Sequence, residues 1–522
     1  MTDKNPPQPG TVYLVGAGPG DPGLITVTGL ARLRAADVVV YDALANPALL
    51  AQAPDHAQRI DVGKRAKHHK LTQDQTNQLL ADLALAGQNV VRLKGGDPYL
   101  FGRGAEECAF LTRLGVRCEV VPGVTSGLAA PATAGIPVTH RKIASTVTIV
   151  TGHEDPTKGH TSVDYPGLAR LVERGGTACF YMGVGRLQQI ADSLAEQGLP
   201  LTTPAAVVQW GTLPRQRTAR GTLQDIARRV AEAGVASPAI IVVGQVAGLD
   251  EPGLDHFTNR PLFGQRVLVT RTRQQASDLR LGLEQRGAHV VEAPTLELVP
   301  PESWEPIDAA LRKIADYHWL LLTSVNAVAV LAERLEIAGL DARHLAPARL
   351  AAVGDATAAA MWDRLRLRPD FVPEAFSGSQ MAQQLIQTHP PAGQRCLLLR
   401  ADIARPDLPR LLREAGATVD ERVAYRTRVP EILDPEADAA LSDGELDWVT
   451  FTSSSTARHL AELLGDRRDL IYGLKVASIG PLTSQTLRDL GWPVTVEAPT
   501  ATLPALIQTL ADATRPADAE VG

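Results

Sequence analysis

The chain has 522 residues, of which 44% are apolar and 21% charged; at roughly 100–200 residues per domain this allows about three or four folding units with ordinary cores and excludes a disordered polymer. A formal net charge of −6 argues against a nucleic-acid partner, which needs a basic footprint, yet leaves room for an acidic small molecule held by local arginines. The polar, Pro-rich opening MTDKNPPQPG lacks the apolar core of a signal peptide, and the most apolar run, Ala236–Leu249, is too short for a bilayer and is broken by Pro238 and Gly244, so a cytoplasmic protein with no membrane partner is expected.

From Thr11 onward, short apolar runs alternate with helical stretches. TVYLVGAG reads as a strand entering a Gly-rich turn, LITVTGLARLRAA as a helix and DVVVYD as the next strand. NVVRLKGGD, EVVPG, STVTIVTGH, TACFYMG, AAVVQWG and AIIVVGQV read as further strands, with TQDQTNQLLADLALAG as a helix between some of them. Strands alternating with helices predict an α/β protein whose sheets are covered on both faces. HEDPTKGHTSVDYPG (153–167) reads as a surface loop dividing the first half. GLDEPGLDHFTNRPLFG (248–264) is polar, holds Pro252 and Pro261 and has no period, so a linker is placed at 251–263 before pattern restarts at QRVLVTR. Residues 1–9 and about 516–522 read as loose tails.

The second half carries a weak internal repeat. LLLTSVNAVAVL (320–331) resembles VTFTSSSTARHL (449–460), and LAAVGDATAAAMWDRL resembles KVASIGPLTSQTLRDL. Each unit is strand, Thr-Ser turn, helix, strand, Gly turn, helix, and two such lobes would make a cleft from their strand-end turns. Cys108, Cys118, Cys179 and Cys396 form no C-x-x-C pair and have no histidines spaced near them; reduced thiols and no metal are expected.

Two motifs in the first half carry chemistry. The turn Val15-Gly-Ala-Gly-Pro-Gly-Asp-Pro22 suits a nucleotide phosphate, a tight structural turn or a small-molecule loop, although Pro19 and Asp21 spoil the G-x-G-x-x-G dinucleotide pattern. In RLKGGDPYLFGRGAEE (92–107), Gly95 and Gly96 let main chain approach a ligand closely, and Asp97 is an acceptor suited to a cationic or amine-bearing one. Arg103 and Glu106, three apart, fall on one face of a helix start and would otherwise be a plain surface pair.

On these residues the first half, about 11–250, strongly resembles the uroporphyrinogen III C-methyltransferases of the tetrapyrrole methylase superfamily. VGAGPGDPGLIT, VVVYDALA, VGKRAKHHKLTQDQTN, VRLKGGDPYLFGRGAEE, VPGVTSGLAAPATAGIPVTHR, FYMG, WGT and SPAIIVVG occur in family order. The resemblance implies a two-lobed fold over 10–250, with lobes of about 10–137 and 138–250, and S-adenosyl-L-methionine as methyl donor. It implies donor contacts at Pro19, Gly95, Gly96, Asp97, Leu100, Thr125, Ser126, Met182, Gly211 and Ala239. It further implies Asp42 as proton acceptor, Lys64 as proton donor, and Arg103, Glu106 and Arg141 as groups holding or deprotonating the macrocycle. Read from the residues alone, Asp42 is equally a strand-end cap and Lys64 a solvated surface lysine; Arg103 is an anion clamp before it is a base. Ala66 and Ala105 stand where relatives often have Gly. A substrate with eight carboxylates calls for Arg and Lys, with Arg the better bidentate partner.

The second half, about 264–512, resembles the uroporphyrinogen III synthases through VLVTR, LLLTSVNAV, AAVGDAT, EAFSGSQM, CLLLRAD, VAYRT, FTSSS and ASIGPLTSQTL. This implies a second two-lobed α/β domain over 264–515, with one lobe of about 264–298 plus 431–515 and the other of about 299–430. It points to Tyr425 as the group assisting loss of the hydroxyl of hydroxymethylbilane, and to Thr357, Ser453 and Thr483 as cleft positions. Ser324, in the Thr-Ser turn before a predicted helix, and Arg271, at a strand end beside Arg273, join them as anion contacts. Helix capping by the Ser residues, a solvated charge pair for Arg271 and a half-buried strand aromatic for Tyr425 are the plainer readings. The whole chain would cyclise hydroxymethylbilane to uroporphyrinogen III and methylate it twice to precorrin-2, as a homodimer through its first half. The alternatives are a methylase acting on another substrate and a methylase with a degenerate, tetrapyrrole-sensing C-terminal domain.

Overall fold

The computed structural model describes residues 8–54, 56–63, 71–153, 161–271, 273–374 and 377–514. By contact the chain divides into two compact units, one of residues up to 267 with 280–290 and from 507 on, the other of 268–279 with 291–506. No helix among the described residues is long and apolar enough to cross a membrane.

The first unit holds two five-stranded sheets. Strands β1 (Thr11–Gly16), β2 (Val38–Tyr41), β3 (Gln58–Asp61), β4 (Val90–Lys94) and β5 (Arg117–Val121) form a sheet in the order β3-β2-β4-β1-β5, parallel throughout. Its inner strands β1, β2 and β4 are largely buried on both faces, and the side-chain period of two sorts their apolar residues. Val12, Leu14, Val38, Val40 and Val90 pack with Leu80 and Leu111 on one face, while Val15, Val39, Val91 and Leu93 pack with Leu33 and Leu49 on the other. Strands β6 (Thr146–Thr151), β7 (Gly176–Tyr181), β8 (Pro204–Gln209), β9 (Arg217–Thr222) and β10 (Ala239–Val243) follow in the order β6-β7-β10-β8-β9. Here only β6 and β7 run parallel, and β10 is antiparallel to both of its neighbours. Between β6 and β7 of this second sheet, the stretch read as a loop already contains the start of a helix, Tyr165–Glu173. Asp164 accepts the Gly167 N–H, and Pro166 sits in the first turn, where its missing N–H costs nothing.

The thiol expectation is corrected. Cys108, on the helix Gly104–Arg113, and Cys118, on β5, form a disulfide with Cα atoms 5.6 Å apart. A search for short metal- or redox-type spacings misses it because the pair forms across a helix–turn–strand return, which brings residues ten apart in sequence together. Cys179 and Cys396 are buried and free, and burial pushes their thiols up to about 12 and about 11. The thiolate is the reactive form. Iodoacetamide at pH 8 is therefore expected to label no cysteine in the native protein, Cys108 and Cys118 after mild reduction, and Cys179 and Cys396 only in denaturant; peptide mass spectrometry reads each site.

Strands of the second half are β11 (Arg266–Val269), β12 (His289–Glu292), β13 (Glu297–Val299), β14 (Trp319–Leu322), β15 (Arg349–Ala352), β16 (Arg395–Ala401), β17 (Thr418–Arg428), β18 (Trp448–Phe451), β19 (Lys475–Ser478) and β20 (Val496–Glu497). They form two five-stranded sheets, β12-β11-β18-β19-β20 and β13-β17-β16-β14-β15. The internal repeat is visible in the elements. β14, the helix Val325–Ile337, β15 and the helix Asp355–Leu365 recur as β18, the helix Ser454–Leu464, β19 and the helix Pro481–Asp489. Ser324 and Ser453 cap the first helix of each set, accepting the N–H of Ala327 and Thr456, and Gly354 and Gly480 precede the second.

Candidate active sites

In the first unit three main-chain segments meet at the C-terminal edge of the parallel sheet. Gly18 and Gly96 exchange backbone hydrogen bonds, Gly96 N–H to Gly18 O at 2.7 Å and Gly18 N–H to Gly96 O at 3.3 Å. A Cβ on Gly123 would lie 2.2 Å from Gly96 O and one on Gly16 2.5 Å from Gly123 Cα, whereas a Cβ on Gly96, at φ +66°, would meet no atom within 4 Å. These glycines are thus needed for the mutual approach of the ends of β1, β4 and β5. Gly123→Ala is expected to destabilise the protein by about 1–3 kcal/mol through overpacking and to weaken donor binding, read by denaturation and by titration calorimetry.

Asp97 ties this edge together. Its Oδ1 accepts the N–H of Tyr99 (2.8 Å) and Leu100 (3.2 Å), and its Oδ2 accepts the N–H of Gly123 (3.0 Å). A carboxylate offers about four lone-pair sites, so three are spent on main chain. Asp97 closes these loops, with about one lone-pair site left over.

Around this edge the backbone is held in a rarely populated conformation. Six described residues other than glycine have positive φ, and five of them lie in three turns: Phe101 and Arg103, then Met182, then Trp210 and Thr212. Such conformations cost free energy, persist only where the surroundings fix them, and cluster at ligand sites. The fixing contacts are present. Tyr181 OH hydrogen-bonds Thr125 Oγ1 and the Gly127 N–H, its ring lies 5.2 Å from that of Phe101, and Thr212 Oγ1 accepts the Asp21 N–H at 3.0 Å. Gly211 is packed so that a Cβ would fall 2.2 Å from Ala130 Cβ. The structure therefore gathers Gly95, Gly96, Asp97 and Leu100 with the Thr125–Ser126 turn, and Met182 and Gly211 follow directly on Tyr181 and Trp210. Pro19 lies in the Gly18–Gly20 turn, and Ala239 starts β10 opposite Gln209.

Asp42 follows β2, half-buried. Its Oδ1 accepts the Leu44 N–H at 3.1 Å, and its Oδ2 stands 3.9 Å from Arg92 Nη2. It is a turn cap and an ion-pair partner at once. Arg103 and Glu106 form a two-pronged pair, both about half exposed, and the guanidinium holds the Glu106 carboxyl below its usual range. Arg141 is exposed in the turn closed by the His140 N–H to Ala144 O bond. Lys64 and Ala66 lie outside the described residues.

The sequence reading missed what lies beneath Asp42. On β4, Arg92 and Lys94 share the face of Val90 and are 6% and 5% exposed, next to Glu107, which is 0% exposed. Lys94 Nζ bonds Glu107 Oε1 at 3.0 Å, Arg92 Nε is 3.5 Å from it, and Gln73 Nε2 adds a third contact at 3.1 Å. Burial and the neighbouring Arg92 lower the Lys94 pKa. The available signal was parity: two cations at alternate positions of a Val-rich strand must point to one covered face and need a buried acid there.

In the second unit Tyr425 and Ser324 come together. Tyr425 OH donates to Ser324 Oγ at 3.1 Å, and Ser324 Oγ in turn accepts the Ala327 N–H at 3.1 Å. A register shift between β16 and β17 pairs Arg400 with Val423 but Ala401 with Tyr425. Bulges of this kind re-aim side chains, often beside active sites. Ser453 hydrogen-bonds Ser455 and the Thr456 N–H. Thr357 and Thr483 are each 4% exposed in the first turns of their helices, and no hydrogen bond among the described residues joins them to Tyr425. Burial lowers the Arg271 pKa, as it does for a cation partly withdrawn from water; the Arg273 side chain lies outside the described ones.

Comparison with known proteins follows this division. A family model described as Tetrapyrrole (Corrin/Porphyrin) Methylases matches residues 11–227, and one described as Uroporphyrinogen-III synthase HemD matches 277–508. The Porphyrin biosynthesis protein HemD of Ruminiclostridium josui is 38% identical over 480 residues, 92% of this chain and 93% of that protein. The Uroporphyrinogen-III C-methyltransferase of Bacillus subtilis is 40% identical over 384 residues, 73% of this chain and 78% of its own. An S-adenosyl-L-methionine-dependent uroporphyrinogen III methyltransferase of Methanosarcina barkeri is 48% identical over 242 residues, 46% of this chain and 94% of its own. The chain belongs to the family of tetrapyrrole-biosynthesis proteins that join a tetrapyrrole methylase, in the first half, to a uroporphyrinogen-III synthase, in the second.

Proposed function

We propose that the second half closes hydroxymethylbilane to uroporphyrinogen III and that the first half methylates this product twice, with S-adenosyl-L-methionine, to precorrin-2. The observation that carries the methylase reading is the set of positive-φ residues in three turns around the glycine-lined edge of the first sheet. A main-chain cradle with no side chain on Gly96 fits a donor gripped by backbone rather than by charge. The donor, when bound, supplies a methyl group already activated on a sulfonium. The protein's share is then positioning and one proton acceptor. We read Asp42 as that acceptor, a reading supported by its partial exposure and by its being held from two sides. Arg103, with Glu106 beside it, and Arg141 provide exposed cationic positions for the substrate's carboxylates.

For the synthase half, the reading rests on the Tyr425–Ser324 pair at a helix N-terminus. A phenol donates to a departing hydroxyl without ionising first, and the helix end favours the acidic side chains of the substrate. A homodimer, taken from the family resemblance, is part of the same reading, as is the cytoplasmic location expected from the sequence. The test supplies hydroxymethylbilane and S-adenosyl-L-methionine to the intact protein and identifies products by mass and isomer. Precorrin-2 is expected. Uroporphyrinogen I alone would refute the synthase half, and unmethylated uroporphyrinogen III would refute the methylase half.

A further inference from the structure

Glu107 occupies an unusual position: a wholly buried carboxylate facing two buried cations, with Oε2 lacking a hydrogen-bond partner among the described residues. One buried lysine would suffice to neutralise it. The second cation, Arg92, also reaches to the end of β2: its Nη1 donates to Val40 O (3.5 Å) there and to Leu93 O (3.3 Å) on its own strand, and its Nη2 faces Asp42 Oδ2 at 3.9 Å. The Leu44 N–H holds the other oxygen of Asp42. Arg92 thus bridges the two carboxylates by ion-pair contacts, its Nε making no hydrogen bond among the described residues. One edge of its planar fork is set against Glu107 and the other against the strand that presents Asp42.

We propose that Glu107 is a positioning residue for methyl transfer, fixing Arg92 from beneath so that Arg92 holds the Asp42 carboxylate at the angle from which it takes the substrate proton. The inference rests on the reading of Asp42 as the proton acceptor. Glu107 touches neither substrate nor donor in this scheme and acts through Arg92 alone. Its anchorage is at a single atom: Lys94 Nζ and Gln73 Nε2 both donate to Oε1, the oxygen that Arg92 Nε faces at 3.5 Å. The lowered pKa of Lys94 agrees with a tightly enclosed group. Glu107 lies one residue from Glu106, and a helix turns about 100° per residue. The exposed Arg103–Glu106 pair and the buried Arg92–Glu107 pair are thus two faces of the same helix start.

The test uses the full chain with uroporphyrinogen III and S-adenosyl-L-methionine, measuring kcat and KM of methylation, donor Kd and the cyclisation rate for Glu107→Gln, Asp42→Asn and the double variant Glu107→Gln/Lys94→Met. Glu107→Gln is expected to lower kcat of methylation about 10²-fold, the size of effect that follows small misplacement of a reacting group, with both KM and donor Kd within about threefold of wild type, as expected when only an interaction of the transition state is lost. The double variant removes the unpaired buried lysine charge and so keeps the fold, yet is expected to stay as slow as Glu107→Gln. Recovery of wild-type kcat in the double variant would mean that Glu107 only neutralises Lys94, and would overturn the inference. Wild-type kcat in Glu107→Gln itself, beside an inactive Asp42→Asn, would overturn it too. Full methylation by Asp42→Asn would instead overturn the underlying assignment of Asp42.

Discussion

Asp97→Ala is expected to raise the Kd for S-adenosyl-L-methionine about 100-fold while uroporphyrinogen III formation by the second half stays within twofold of wild type. The three N–H groups that Asp97 accepts belong to its own turn and to Gly123 just after β5. A hydrogen bond to a charged group contributes roughly 1.5–3 kcal/mol, and a free N–H left in a partly buried turn carries its own cost. If about 3 kcal/mol of this appears as opening of the two loops, donor binding falls by about two decades at 1.4 kcal/mol each. Alanine removes the latch without adding bulk, so the four sheets should remain intact. Asp97→Asn keeps one acceptor oxygen but turns an amide NH2 toward an N–H, and should fall between the two. Titration calorimetry measures both; an unaltered donor Kd in Asp97→Ala would show that the loops do not need this carboxylate.

Much of the scaffold was legible because Val and Ile runs alternate faces with a period of two, as β2 does with Val38 and Val40 on one side and Val39 on the other. β9 was not, because RTARGT has no apolar run; it survives as an edge strand, paired antiparallel to β8 and needing only one covered side. Glycine positions in the first site were readable for the same reason they exist, since close backbone approach excludes a Cβ. The positive φ of Phe101, Arg103, Met182, Trp210 and Thr212 was not, because nothing in those residue types announces it; tertiary contacts such as Tyr181 with Thr125 impose it. Arg92 and Lys94 carried no assignment from the sequence. Only the helix that lowers Glu107 onto them makes their burial tolerable. Asp97 was found by its motif, but its loop-closing bonds were not, because hydrogen bonds to main chain leave no trace in composition.

For Tyr425→Phe, cyclisation of hydroxymethylbilane by the intact chain is expected to slow about 10²-fold, with methylation of supplied uroporphyrinogen III unchanged. Positioned proton donors contribute roughly 10²–10⁴-fold, and the lower end applies because the leaving group departs readily once folded into place. The hydroxyl is oriented by Ser324, whose oxygen is itself fixed by the Ala327 N–H, so Ser324→Ala should lose part of the same factor. In the double variant the two losses should not add, since both act on one hydrogen bond. The bulge that re-aims Tyr425 is a backbone feature and should survive removal of one oxygen. The isomer ratio gives a second readout: a slower enzyme releases more substrate to spontaneous closure, so uroporphyrinogen I should accumulate in step with the rate loss. Wild-type cyclisation in Tyr425→Phe would mean that the helix N-terminus beside it, with Ser324 at its cap, is enough to draw the hydroxyl away, and the phenol would then be packing for β17 rather than part of the reaction.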